Sequence, residues 1–436
     1  MKSLASRLFF GLLVLIFCFF SCNRQDDDIP EPIDPKTQPY VYHFEYDGHP
    51  NVANTGQVVR NLIVQDFEIL VKGLASPGAT PVSFEDLYKY YENDAQTIEG
   101  PTLTQTDLPL VFETLRDISP VRDLKQRVNG PNAEQVHADM AHWCNTIADY
   151  SQDDSKLGTY EVYIEESTGY DMLQMFKLTG LGAAMLEHGL YVYFRYVEND
   201  YNDSIVWFPG ATELYYTWME HHWDEAFGYY GTARNFHDFS DEELVDFENG
   251  GNYKDNFDID DRIDFKTEYN YHFARMAAQR DIDSKTGTDF SRAVYDAFYE
   301  GRVAIVEKNY DLMIAKKPII LDNWEKIIAA TAIHHLNAVI EQMSQLENDP
   351  QTSPELFYHH WAAMYKFTEM FRYNYENRFV QYQEVLDTKY KTSDVPFPKA
   401  VVDDPMKAET YTQSLLEVRT MIKDIFQFAE QDILAW

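Results

Sequence analysis

The chain has 436 residues and a formal net charge of −36, with 72 Asp and Glu against 36 Lys and Arg. So acidic a body excludes non-specific nucleic-acid binding, because phosphate recognition needs the opposite field. Aromatic residues make up 15% of the chain, 31 of them Tyr, which supplies a large core and excludes disorder over the main body.

Residues 1–21 read as an export signal. Lys2 and Arg7 flank the start of an apolar run, 8–20, that is too short for a membrane-spanning helix. Phe19-Phe20-Ser21-Cys22 then resembles a bacterial lipobox, with Phe19 in place of the usual Leu. That resemblance implies cleavage before Cys22 and lipidation of its thiol. The other reading is an ordinary secretory signal with an incidental cysteine. Residues 22–39 carry Asp26-Asp27-Asp28 and Pro30, Pro32, Pro35 and Pro39, and read as an extended tether. An acidic cluster just after a lipidated cysteine resembles the surface-export signal of Bacteroidota lipoproteins. It implies an outward-facing anchor in the outer membrane; a linker facing the periplasm is the alternative. Cys18 falls in the leader, which leaves Cys144 as a lone thiol and excludes an intramolecular disulfide. Beside Trp143 on an apolar helix face, Cys144 reads as a small buried hydrophobe.

Residues 40–46 alternate aromatic and polar side chains, as a short strand or extended segment does. After Pro50 the apolar spacing becomes three to four and predicts helices over 58–74, 83–93, 108–128 with a break at Pro120, and 132–150. His137 and His142 in the last of these are five apart and share no face, so they receive no metal role. Residues 160–169 read as a short hairpin or loop. A long helix is predicted over 170–197, where a run of small residues allows close helix–helix approach. The stretch 215–231 predicts a helix ending at Gly231, followed by a polar acidic surface insertion, 232–264. Its DNFDIDD run lacks the glycine and the terminal glutamate spacing of a calcium loop. Further helices are predicted over 289–308, 323–346, 353–374 and 410–436, with Pro318 allowing a turn or kink. The fold class is all-α: two packed up-and-down bundles, 40–231 and 265–436, with a short N-terminal extended segment.

The chemistry concentrates in histidines. In the helix over 215–231, His222 and Glu225 lie three apart on one face, flanked by Trp218, Met219, Ala226 and Tyr229. An imidazole and a carboxylate aimed into an apolar stripe each need a partner. Three His-His pairs occur, at 221–222, 334–335 and 359–360. His335 falls in line with Trp324, Ile328, Thr331 and Val339, and His360 with Phe357, Met364 and Phe367. If the helices pack together, His222, Glu225, His335 and His360 converge as ligands for a divalent transition metal, zinc or iron. The alternative is that each donates a hydrogen bond that fixes helix register. There is no helix-borne HExxH site, no GxSxG elbow, no phosphate-cradling glycine loop and no Cys/His nucleophile pair.

The run from His222 to Gly231, HWDEAFGYYG, resembles the signature of a Bacteroidota lipoprotein family with a domain of unknown function. Gly56-Gln57 with Arg60, the helix from Lys177 to Met185, and Gly301-Arg302 through Tyr310-Asp311 resemble that family in the same order. The family is similar to imelysin-like proteins, whose signature is Gly-x-His-x-x-Glu; here Glu220 replaces the glycine before His222 and Glu225. The resemblance implies two helical bundles, an envelope location, a link to iron uptake with an outer-membrane transporter as partner, or a metallopeptidase activity. A glutamate that family members tend to carry is Ala363 here. The leading expectation is a lipid-anchored envelope protein that binds a metal or metal-bearing ligand through His222 and Glu225, with Trp218 and Tyr229 shaping the pocket. A metal-dependent hydrolase and a non-catalytic surface module for glycan or protein are the alternatives.

Overall fold

Apolar residues at helical spacing become helices nearly everywhere that the computed structural model describes the chain: residues 40–92, 122–130, 132–207, 214–349, 351–373, 397–404 and 406–436. The leader, Cys22, the tether and most of the predicted 108–128 helix lie outside those residues. No helix among the described residues is long and apolar enough to cross a membrane.

The helices are α1 (Thr55–Leu74), α2 (Phe84–Glu92), α3 (Ala133–Ser151), α4 (Met172–Thr179) and α5 (Tyr193–Val197). They continue as α6 (Trp218–Tyr230), α7 (Asp241–Val245), α8 (His272–Asp283), α9 (Phe290–Val306) and α10 (Tyr310–Asn348). The last four are α11 (Glu355–Met370), α12 (Pro398–Asp403), α13 (Met406–Phe426) and α14 (Glu430–Ile433). The fold is therefore all-α. Among the described residues, strand is confined to a hairpin of two short pieces, Glu45–Tyr46 at the end of the predicted extended segment and His49–Pro50 just beyond it. Between α4 and α5 the helix widens to i→i+5 pairing over Gly180–Val192, a stretch buried almost throughout.

Proline at 318 neither turns nor ends its helix: α10 runs through it for 39 residues. Proline removes one hydrogen bond, to the carbonyl of Ile314. Ile314 is 47% exposed, so the freed carbonyl lies on the solvent-facing side of the helix, where a proline is best tolerated. Helix α10 packs along both α9 and α11, and α6 packs on α1 and α9. The acidic stretch 232–264 lies only partly at the surface, since Ala233, Leu244, Asn252 and Ile263 are fully buried.

Helix α6 begins in a capping box, with the Thr217 side chain accepting from the Glu220 N–H and the Glu220 side chain from the Thr217 N–H. Its inner face carries Trp223, whose Nε1 donates to the Phe298 carbonyl at 2.9 Å. One residue on, Asp224 accepts from Arg302 Nε at 3.0 Å and from the Tyr42 hydroxyl at 2.7 Å. Arg302 also donates to Glu220 at 2.8 Å and to Asn51 at 3.2 Å, and its guanidinium lies 4.6 Å above the Phe44 ring. The extended segment around 42–51 is thus strapped to α6 and α9 through one buried arginine.

Candidate functional site

The helix α6 places His222 and Glu225 as the periodicity requires, yet each is engaged elsewhere. His222 Nδ1 meets Asp200 Oδ2 at 2.6 Å, and its ring stacks on Tyr193 at 5.7 Å and on Trp218 at 5.8 Å. Glu225 accepts from Gln57 Nε2 of α1, and the imidazole that addresses it is His221, at 3.7 Å. The i, i+4 neighbour faces the carboxylate, while the i, i+3 neighbour turns toward the chain after α5. Trp218 is 38% exposed against the two histidine rings, and Tyr229 is fully buried beside Tyr193.

Convergence occurs instead between α10 and α11. The two helices pack side by side after a short connection, which brings His335 and His360 face to face with their Nδ1 atoms 2.9 Å apart. His334, one residue before His335, completes a group whose three ring nitrogens lie within 4.8 Å of one another. Phe367 stacks on His335 at 5.5 Å and fixes its plane. His359 stands at the edge, 3.4 Å from Asp171. Burial holds all three central imidazoles neutral. It pushes His334 down to about 3, helped by the Arg280 charge, and His360 down to about 4, helped by His359. His335 lies well below its usual value, through burial first and then His334.

Neutral imidazoles are the form that ligates metal, and nitrogen donors suit Zn²⁺, Fe²⁺ and their neighbours. The donor set therefore fits a metal of that class, with at least one position open. The same 2.9 Å approach also suits a hydrogen bond between two neutral rings, one donating. His334 and His335 open beside a cleft of about 300 Å³ that Glu68, Lys177, His272, Arg275 and Arg280 also line, with Lys177 ion-paired to Glu68 at 2.5 Å. Arg280 is 2% exposed; its Nη2 donates to Asp283 at 2.9 Å, while its Nε and Nη1 are buried with no partner. An incompletely paired buried guanidinium beside three imidazoles makes an anionic co-ligand favourable there.

Sequence reasoning found His335 and His360 but missed His334, which sits 100° off the stripe. It also missed a second cleft, of about 340 Å³, at the start of α1 beside His221 and Glu225, because its arginines at 60, 122 and 127 come from separate segments. The other group of possible ligands, Asp255, Asp258 and Asp260, lies in a loop organised by its own backbone: Asp255 accepts the Asp260 and Asp261 N–H groups, and buried Glu268 those of Asn256, Phe257 and Asp264.

No curated protein and no solved structure matches the chain. A family model does: that of a domain of unknown function, DUF4856, over residues 39–356. The match takes in Arg302, Asp224 and Trp223, which build the strap, and His334 and His335, while His360 lies four residues beyond it. Because it spans well over half of the chain, the protein belongs to the DUF4856 family.

Proposed function

We propose that the protein is a lipid-anchored envelope protein that holds a divalent transition metal, or a small anionic ligand carrying one, at His334, His335 and His360, in an uptake role. The observation that supports it is the approach of three neutral imidazole nitrogens to within 4.8 Å, two of them on residues that line a cleft with Arg275 and Arg280. Arg275 and Arg280 supply the charge for an anion beside the metal, since Lys177 is paired with Glu68. A kinship with imelysin-like proteins is part of this reading, supported by the all-helical fold and by the His-x-x-Glu frame at His222 and Glu225. The anchor rests on the sequence at Cys22, and an outer-membrane transporter is the partner that an uptake role implies.

Metal analysis of the purified full chain tests the reading after loading with Zn²⁺ or Fe²⁺ and removal of excess. About one equivalent per chain is expected, lost in His335→Ala and retained in His222→Ala. No retained metal in the unsubstituted protein overturns the site, and loss in His222→Ala alone moves it to α6. For the anchor, Cys22→Ser is expected to abolish palmitate labelling and release the protein from membranes.

A further inference from the structure

We infer that the cleft at the start of α1 is a second, separate ligand site, which takes the phosphate or carboxylate group of a small anion. Among the described residues, the cleft gathers the guanidiniums of Arg60, Arg122 and Arg127 against one carboxylate, of Glu225. In a chain with a formal charge of −36, that local excess of positive charge runs against the general field.

Among the described residues, neither Arg60 nor Arg127 has a carboxylate at hydrogen-bond distance. Arg60 is 3% exposed and donates to two neutral carbonyls, of Asp123 at 2.8 Å and Gly56 at 3.0 Å. Arg127 makes no side-chain hydrogen bond or ion pair among the described residues, and it faces the cleft. Glu225 is already taken by Gln57 Nε2. The guanidiniums feel one another: burial lowers the Arg122 value, and the charges of Arg60 and Arg127 add to it.

The first turn of α1 opens on the same space through Ala53, Thr55 and Gly56. That turn holds no acidic residue, and the Asn54 side chain makes no capping bond. The positive end of the helix dipole therefore points into the cleft. A Cβ at Gly56 would stand 2.9 Å from the Arg122 side chain, which lies across the turn. Guanidinium forks and helix N–H groups are the donors that match planar carboxylate and tetrahedral phosphate oxygens. A cleft of about 340 Å³ admits a small anion. The site shares no residue with the histidine cluster.

Isothermal titration of the metal-stripped full chain tests the assignment, with inorganic phosphate and citrate as separate probes in a His335→Ala background. That background keeps citrate from acting through a metal. At least one probe is expected to bind, more weakly as salt rises. Arg127→Gln is expected to weaken binding by about tenfold or more. Glu225→Gln removes the one opposing charge and is expected to tighten it. Preference for phosphate or for citrate assigns the group. Two opposite shifts from neighbouring residues are not produced by a loss of folding, and thermal melts of both variants check that each is folded. No binding of either anion at millimolar concentration, or binding untouched by Arg127→Gln, overturns the proposal.

Discussion

Arg302 Nε stands 3.0 Å from Asp224 Oδ1, and both side chains are wholly removed from solvent. The strap they form with Glu220, Asn51 and Tyr42 joins three distant parts of the chain. Removing one partner of such a pair leaves a buried charge without compensation. Arg302→Met is therefore expected to destabilise the protein by about 3–5 kcal/mol, read from urea denaturation. An unchanged midpoint would show that water reaches the cluster.

Gly301, next to this arginine, faces the indole of Trp223. A Cβ there would stand 2.1 Å from the ring, so Gly301→Ala forces α6 and α9 apart. A loss of at least about 1–3 kcal/mol is expected from overpacking. Trp223→Phe in the same chain should recover part of it. Absence of any recovery would place the strain elsewhere.

The histidine cluster and the α6 pair separate cleanly by substitution. His335→Ala should abolish metal retention, and Asp200→Asn should leave it intact while freeing the His222 ring. Retention is measured by elemental analysis of the loaded chain. Equal losses in both variants would mean that the two places are linked.

Acid should unfold this protein partly through His188. Burial, together with Arg127 and Arg60, pushes its imidazole down from 6.5 to about 3. Between those values the unfolded chain binds the extra proton, so the contribution is intact above about pH 6.5 and falls away as pH drops toward 3. Each such histidine costs about 1.4 kcal/mol per pH unit in that window. Lowering pH from 7 to 5 should cost the native chain about 2 kcal/mol more than His188→Leu, by urea denaturation at the two pH values. Parallel losses would assign the acid sensitivity to other groups.

Cys144 is buried, and burial pushes its thiol well up. A thiol reagent should therefore label it only after denaturant is added. Rapid labelling of the folded chain would reveal an opening of α3.

Periodicity carried the helices because burial, not capping, decides most of them. It placed α10 and α11 with the correct faces inward, so the meeting of His335 with His360 was legible in the spacing. His334 was not, because two adjacent positions on a helix reach the same seam only when the partner helix lies close. On α6 the spacing admitted two histidines for Glu225, and Gln57 and Asp200, from distant parts of the chain, decide which one faces it. The arginine cleft had no linear signal at all: a side chain from inside α1 and two from the stretch at 122–127 meet through tertiary packing alone. Trp223, Asp224 and Arg302, which entered the sequence reading only through a family resemblance, are in space the fastening of the N-terminal segment.

The missing rung at Pro318 divides the longest helix into unequal halves. Ile314 before it and Ile319 directly after it are open to water, whereas Ile327, Ile328, Ala332 and Ile333 further along are sealed. Amide hydrogen exchange should be fast across the first half and slow across the second. The stretch that presents the imidazoles is thereby insulated: the front of the rod can fray and reclose while the nitrogen atoms keep their spacing.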